Sequence, residues 1–76
     1  MTIDIDQILI RASELYGRQI RVHRATSGAN CVTTTVDDVH YQAFDVPLLE
    51  QLGDKGAADE IAATWRVWSE AGYPDL

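Results

Sequence analysis

Arg18-Gln19-Ile20-Arg21-Val22-His23-Arg24 is the stretch on which the fold turns. Along it Ile20 and Val22 point one way while Arg21 and His23 point the other, the period of two expected of a strand. Upstream the period is different. Ile5, Ile8, Leu9, Ala12, Leu15 and Tyr16 recur at helical spacing and form one apolar stripe. Asp4 stands where an N-cap belongs, and Gln7 is placed to return a hydrogen bond as in a capping box. Ile3 and Ile8 take the positions of a hydrophobic staple, and Gly17 supplies a left-handed stop. The pattern predicts a helix over 4–16 followed at once by the first strand.

Downstream of Arg24, Thr26-Ser27-Gly28-Ala29-Asn30 is turn chemistry. Cys31 to Val36 is a β-branched run with Val32, Thr34 and Val36 on one face. Val39 to Val46 is a third extended run. A two-residue turn at Asp37-Asp38 sets Val36 opposite Val39, Thr34 opposite Tyr41 and Val32 opposite Ala43, gathering apolar side chains on one face. Asp-Asp suits such a turn poorly, because both residues need positive φ, which leaves a longer loop open. Pro47 fits the start of a helix, with Asp45 or Val46 before it. Leu48, Leu49 and Leu52 follow, and Gly53 ends that short piece. Asp54-Lys55-Gly56 reads as a break. A full helix over 57–71 then carries Ala58, Ile61, Ala62, Trp65 and Trp68 on one side, and Gly72 and Pro74 stop it. The expected architecture is an α+β domain over 1–76 in the order α-β-β-β-α. Its three-stranded antiparallel meander carries both helices on the apolar face.

Charge is distributed unevenly. Residues 1–30 carry three acids and four bases, whereas residues 31–76 carry nine acids against Lys55 and Arg66. Seven of those acids, Asp37, Asp38, Asp45, Glu50, Asp54, Asp59 and Glu60, fall within 24 residues. An acidic surface repels nucleic acid and anionic membrane and attracts basic grooves on proteins. Cys31 is the only cysteine, so no internal disulfide forms, in keeping with a reducing cytoplasm. No apolar run approaches the roughly 20 residues that span a bilayer. Acids at positions 4 and 6, with no basic n-region, argue against a secretory signal.

No phosphate-binding glycine loop, dinucleotide fingerprint, nucleophile elbow or zinc-protease motif is present. Gly53-Asp54-Lys55-Gly56 is too short and too acidic to cradle phosphate. His23 and His40 fall on the polar parity of their strands, and with Cys31 they lack the ligand spacing of a metal site, so surface histidines are the expectation. Cys31 reads as a small strand residue packing near Phe44 rather than a nucleophile. The pairs Asp37-Asp38 and Asp59-Glu60 hold neighbours that point apart, and Asp59 and Glu60 suit the first turns of a helix. Trp65 and Trp68 are expected in the core. Ala63, Val67 and Ala71 make a second, smaller apolar strip on the far side of that helix, suited to a dimer or partner contact. Arg18, Arg21 and Arg24 alternate in direction and are expected to pair with the chain's own acids.

The element order resembles that of a double-stranded-RNA-binding domain, with Gly53 to Ala62 in the place of that family's basic helix start. There the family carries lysines; here stand Asp59 and Glu60, with Lys55 the only cation, so the resemblance implies the topology and not RNA binding. The chain is also similar in shape and charge to small acidic phage inhibitors of CRISPR nucleases, in the element order and in the acids from Asp37 to Glu60. That likeness implies a non-enzymatic protein with no cofactor, whose acidic face engages the basic nucleic-acid-binding surface of a partner such as a CRISPR effector. The partner-binding residues are then the seven acids from Asp37 to Glu60, with Tyr41, Tyr73 or Val67 as an apolar anchor. Two other readings stand beside it. One is a homodimeric structural or accessory subunit using the Ala63–Val67–Ala71 strip. The other is a small metal protein or enzyme using His23, His40 and Cys31.

Overall fold

The computed structural model describes residues 3–24, 30–37 and 40–73. Helix α1 (Ile5–Tyr16) leads into strands β1 (Arg21–Arg24), β2 (Cys31–Val36) and β3 (His40–Asp45), and helix α2 (Val46–Glu70) closes the order α-β-β-β-α. The sheet is antiparallel with the strands side by side as β1-β2-β3, so β2 is central and β1 and β3 are its edges. The expected α+β meander is the observed fold.

Helix α1 starts and stops for local reasons. The Asp4 carboxylate accepts from the Gln7 backbone N–H at 3.2 Å, and the first helical bond runs from Ile8 N–H to the Asp4 carbonyl. The return bond expected from the Gln7 side chain is made instead by Asp54, whose carboxylate accepts from the Asp4 N–H at 3.2 Å across 50 residues. Gly17 takes φ 88° and donates to the Ser13 carbonyl, the left-handed ending that a Cβ disfavours. The Ser13 hydroxyl then accepts from the Ile20 N–H at 2.9 Å, which fixes the entry into β1. Leu15, expected on the apolar stripe, is exposed; the stripe that buries is Ile8, Leu9 and Ala12.

The hairpin between β2 and β3 differs from the two-residue reading. Val36 pairs with His40, Thr34 with Gln42 and Val32 with Phe44, leaving three residues in the loop. Asp37 opens that loop at φ 63°, a left-handed conformation that aspartate tolerates better than most residues. Asp38 and Val39 lie outside the described residues, as do Ala25 to Ala29 of the preceding turn. Adding one residue to the loop reverses the parity of β3. His40, Gln42 and Phe44 therefore turn toward the helices, and Tyr41 and Ala43 turn outward. Phe44 replaces Ala43 as the core residue opposite Val32, which buries far more apolar surface than the two-residue turn offers.

Helix α2 has two arms that meet at Gly53, which sits at φ 77° and ψ 170°. That backbone region is essentially open to glycine alone. The break is confined to this one residue: Asp54, Lys55 and Gly56 are already helical. The arms bury Leu49 on one side of the joint and Ala57, Ala58, Ile61, Ala62, Trp65 and Trp68 on the other. These side chains meet Ile8, Leu9, Ala12, Ile20, Val32, Val36 and Phe44 in one core. Thr34 is the buried polar residue of that core. Its hydroxyl accepts from the Trp65 indole N–H at 2.8 Å and donates to the Gln42 carbonyl at 3.3 Å, so no polar atom there is left unmatched. This pair pins the long arm of α2 over the central strand. The Arg66 guanidinium donates to the Leu15 carbonyl at 2.8 Å, joining the same arm to the end of α1. None of the described helices is long and apolar enough to cross a membrane.

Candidate functional site

Two surface regions carry polar groups worth weighing, and they are built in opposite ways. The first lies at the hairpin end of the sheet, where Tyr16 of α1, Arg18, Asp37, His40 of β3 and Tyr73 beyond α2 converge. The Arg18 guanidinium donates to both carboxylate oxygens of Asp37 at 2.6 and 2.7 Å, and to the Tyr73 hydroxyl at 3.5 Å. The Tyr16 and Tyr73 hydroxyls are hydrogen-bonded to each other at 2.5 Å. His40 stacks on Tyr73 with ring centroids 4.3 Å apart and planes 15° from parallel. Tyr73 also packs against Trp65 and Trp68. Gly72 at φ 83° and Tyr73 at φ 53° turn the chain back so that the ring reaches this position.

The environment separates the two phenols. Burial, then the hydrogen bond to Tyr73, raises the pKa of Tyr16 above its ordinary 10.0. The Ser69 hydroxyl, then Tyr16, lowers that of Tyr73, with Arg18 acting in the same direction. Asp37 in turn raises the pKa of Arg18, which is charged in any case. Tyr16, Arg18, Asp37 and Tyr73 are hydrogen-bonded to one another, and His40 packs on them through its stack on Tyr73. The centre of the cluster is the hydrogen bond between the two phenols, one with its pKa raised and the other with its pKa lowered. His40, expected on the solvent side, is half-buried here, and Tyr73, expected as a free anchor, is committed to this cluster. Among the described residues no three His, Cys, Asp or Glu side chains lie close enough together to hold a metal ion. His23 is exposed, with Nε2 3.4 Å from the Thr35 hydroxyl. Cys31 is half-buried opposite Asp45, on the opposite parity to Phe44 rather than beside it.

The second region is the flank where α2 overhangs the β3 edge. Gln42, Glu60, Ala63, Thr64, Val67 and Trp68 line a largely apolar groove of about 330 Å³. Val67 is 67% exposed beside it, and Tyr41 is 47% exposed on the outer face of β3. The expected strip on the far side of α2 is therefore present in Ala63 and Val67, with Ala71 exposed beyond them. Trp65 and Trp68 are buried, as their shared face with Ile61 requires.

The acids expected to bind a partner are spread along the chain's path. Asp37 stands at the hairpin, neutralised by Arg18. Asp45 stands at the other end of β3, a separation of about 17 Å for a six-residue strand. It occupies the N-cap position of α2 without a side-chain cap bond. Glu50 is half-buried on the first arm, and Asp54 is exposed while it accepts from Asp4. Asp59 and Glu60 are exposed on the long arm, and among the described residues neither forms an ion pair. Asp38 lies outside the described residues. From Asp45 to Glu70, six acids (Asp45, Glu50, Asp54, Asp59, Glu60 and Glu70) face only Lys55 and Arg66. The acidic character resides in α2 and the basic character in Arg18, Arg21 and Arg24 around β1.

The sequence reading missed the Tyr16–Tyr73 pair and the half-buried Gln42. The pair goes with the positive φ at Gly72 and Tyr73, and the burial of Gln42 with the three-residue loop that sets the parity of β3. A glycine just before Tyr73 was the one local signal of that turn. No family model matches the chain, and no curated protein or solved structure shows significant similarity to it.

Proposed function

We propose that this chain is a non-enzymatic inhibitor or adaptor whose acidic helix α2 engages the basic, nucleic-acid-binding surface of a partner protein. The observation that carries the reading is the flank of α2. Val67 stands exposed beside an apolar groove, and Asp59 and Glu60 stand exposed and unpaired among the described residues on the same arm. Carboxylates on a helix imitate phosphates in sign, which speeds encounter with a lysine- and arginine-lined groove. Charge alone gives little affinity at an exposed site, so an apolar anchor is required, and Val67 supplies it. The working set is Asp45, Glu50, Asp54, Asp59 and Glu60, with Asp37 removed from it by Arg18.

The test is displacement. A fluorescent duplex bound to a basic nucleic-acid-binding protein, a CRISPR effector first among them, is titrated with this chain and read by anisotropy. Release of the duplex is expected, weaker as salt rises, and weaker again in the double variant Asp59→Lys, Glu60→Lys. Displacement that is equal at low and high salt contradicts an electrostatic mechanism. The exposure of Val67 also favours a homodimer through Ala63, Val67 and Ala71. Light scattering after gel filtration separates the two readings: a dimer that Val67→Asp splits supports the homodimer.

A further inference from the structure

We propose that the β3 edge takes up an extended segment of the partner as a fourth strand, with an apolar side chain in the groove beneath α2 and a lysine or arginine beside it meeting Glu60. The inference rests on the reading of α2 as the binding helix and gives it a mode of recognition. Three observations support it together. The first is that the two sheet edges are finished differently. Edge strands carry unpaired backbone donors and acceptors, and natural proteins blunt them with cations, proline or short length. β1 is four residues long and holds Arg21; β3 is six residues long and holds no lysine, arginine or proline. The second is that the groove lined by Gln42, Glu60 and Val67 lies on the helix side of this same strand. A strand added to β3 sends alternate side chains toward that groove, which is how strand addition obtains specificity from pockets and affinity from the main chain.

The third observation is charge. Among the described residues Glu60 is the only ionisable one lining the groove, and β3 ends at Asp45. A second copy of the chain adding through its own β3, with the helices on one side, brings Glu60 of both copies to one interface with no cation from either groove or strand. Like charges at that juncture oppose self-association, whereas a basic segment is complementary to it.

The probe is the capped peptide Thr-Lys-Thr-Val-Thr-Lys-Thr, which in a strand places both lysines and the valine on one side. Its glutamate counterpart replaces the lysines, and a third peptide replaces one central threonine with proline. Binding to the intact, isotope-labelled chain is followed by backbone amide shifts and amide exchange. The basic peptide is expected to shift Tyr41, Gln42, Ala43, Glu60 and Val67 and to slow exchange at β3 amides that do not pair with β2. The glutamate and proline peptides are expected to leave these signals in place. Glu60→Lys is expected to weaken the basic peptide by up to about fivefold, the scale of one lost exposed ion pair. Val67→Arg, also on an exposed position, is a second variant expected to block the groove. Equal binding of the glutamate peptide, or β3 protection that appears without peptide and grows with protein concentration, overturns the proposal. Shifts confined to Asp59, Glu60 and the rest of α2, with β3 unmoved, overturn strand addition while leaving the acidic-helix reading standing. Failure of that broader reading shows separately, as absence of duplex displacement.

Discussion

The cluster around Tyr16 and Tyr73 at the hairpin end of the sheet, here the tyrosine corner, and the β3–α2 flank both draw on β3, and they differ in whether their side chains are finished. At the corner, Arg18, Asp37, Tyr16 and Tyr73 come from different parts of the chain and hydrogen-bond one another, with His40 stacked on Tyr73. At the flank, Glu60, Gln42 and Val67 surround a groove that nothing among the described residues fills. The first arrangement spends its polar groups on holding the fold closed. The second leaves apolar area, a strand edge and carboxylates facing solvent together, a combination that costs stability without benefit to an isolated monomer. The proposed recognition falls where the fold leaves groups unmatched.

Trp65 joins the two regions, so removing it is the most severe way to break the comparison. Its indole packs toward Tyr16 and Tyr73 on one side and Trp68 on the other, and its N–H is held by Thr34. Trp65→Ala is expected to cost about 3–5 kcal/mol, a large share of the total for a domain this small. Urea denaturation gives the value, and a loss below about 1 kcal/mol shows that α2 is not pinned as described. Thr34→Val is the finer form of the same test. It keeps the shape and leaves the indole N–H buried without an acceptor, at roughly 1–3 kcal/mol.

Gly53 decides how the groove-bearing arm of α2 is aimed. Gly53→Ala meets open space at its Cβ, so any loss comes from the backbone at φ 77° and not from a clash. A cost of about 1–3 kcal/mol is expected from that conformation. If the variant is as stable as the parent, the joint tolerates other geometries and the flank is less fixed than the corner. On the flank itself the expected stability effects are smaller still. Val67→Asp and Glu60→Lys should each stay within about 0.5 kcal/mol, as exposed positions do. The same variants are expected to reduce duplex displacement, so a stability assay and a binding assay should disagree at the flank and agree at the corner.

The division between what the sequence shows and what it hides follows the same line. The α1 stripe apart from Leu15, the β-branched β2 and the tryptophans of α2 are all local patterns, and each appears where its spacing places it, while β1 begins one residue after Ile20. The parity of β3 depended on one loop residue. Local preference for apolar Val39 and Ala43 on the inner face lost to the burial of Phe44. Asp4 carries a capping signal that is legible three residues ahead, but its second partner, Asp54, is 50 residues away and carries no local mark. The Arg18–Asp37 pair was expected only as a general tendency of the arginines. Its cost to the acidic patch becomes visible only when the hairpin places Asp37 beside the entry to β1. Groove and edge arise from packing α2 against the sheet, and no motif encodes such a surface.

The smallest expected effect concerns the proton shared by Tyr16 and Tyr73, and it tests whether the corner is closed as described. Tyr73 has its pKa lowered by the Ser69 hydroxyl and then by Tyr16, so on raising pH it ionises before an ordinary phenol. Tyr16, raised chiefly by burial and then by its bond to Tyr73, keeps its proton past pH 10.0. The signs are opposite in their linkage to folding. Tyr16 contributes stability that is complete below the unfolded value and is lost as pH climbs through its raised folded pKa. Tyr73 contributes stability that is present above the unfolded value and is lost as pH falls through its lowered folded pKa. With Tyr41→Phe as the parent background, so that Tyr16 and Tyr73 are the remaining phenols, phenolate absorbance should therefore rise in two steps on either side of pH 10.0. Tyr16→Phe should move the early step toward higher pH without restoring it fully, because Ser69 still acts on Tyr73. Tyr73→Phe should remove the early step and bring Tyr16 down toward its ordinary value, with burial still holding it above. A single step in the parent, unchanged in either variant, means that the two hydroxyls do not share a proton and that this corner is as unfinished as the flank.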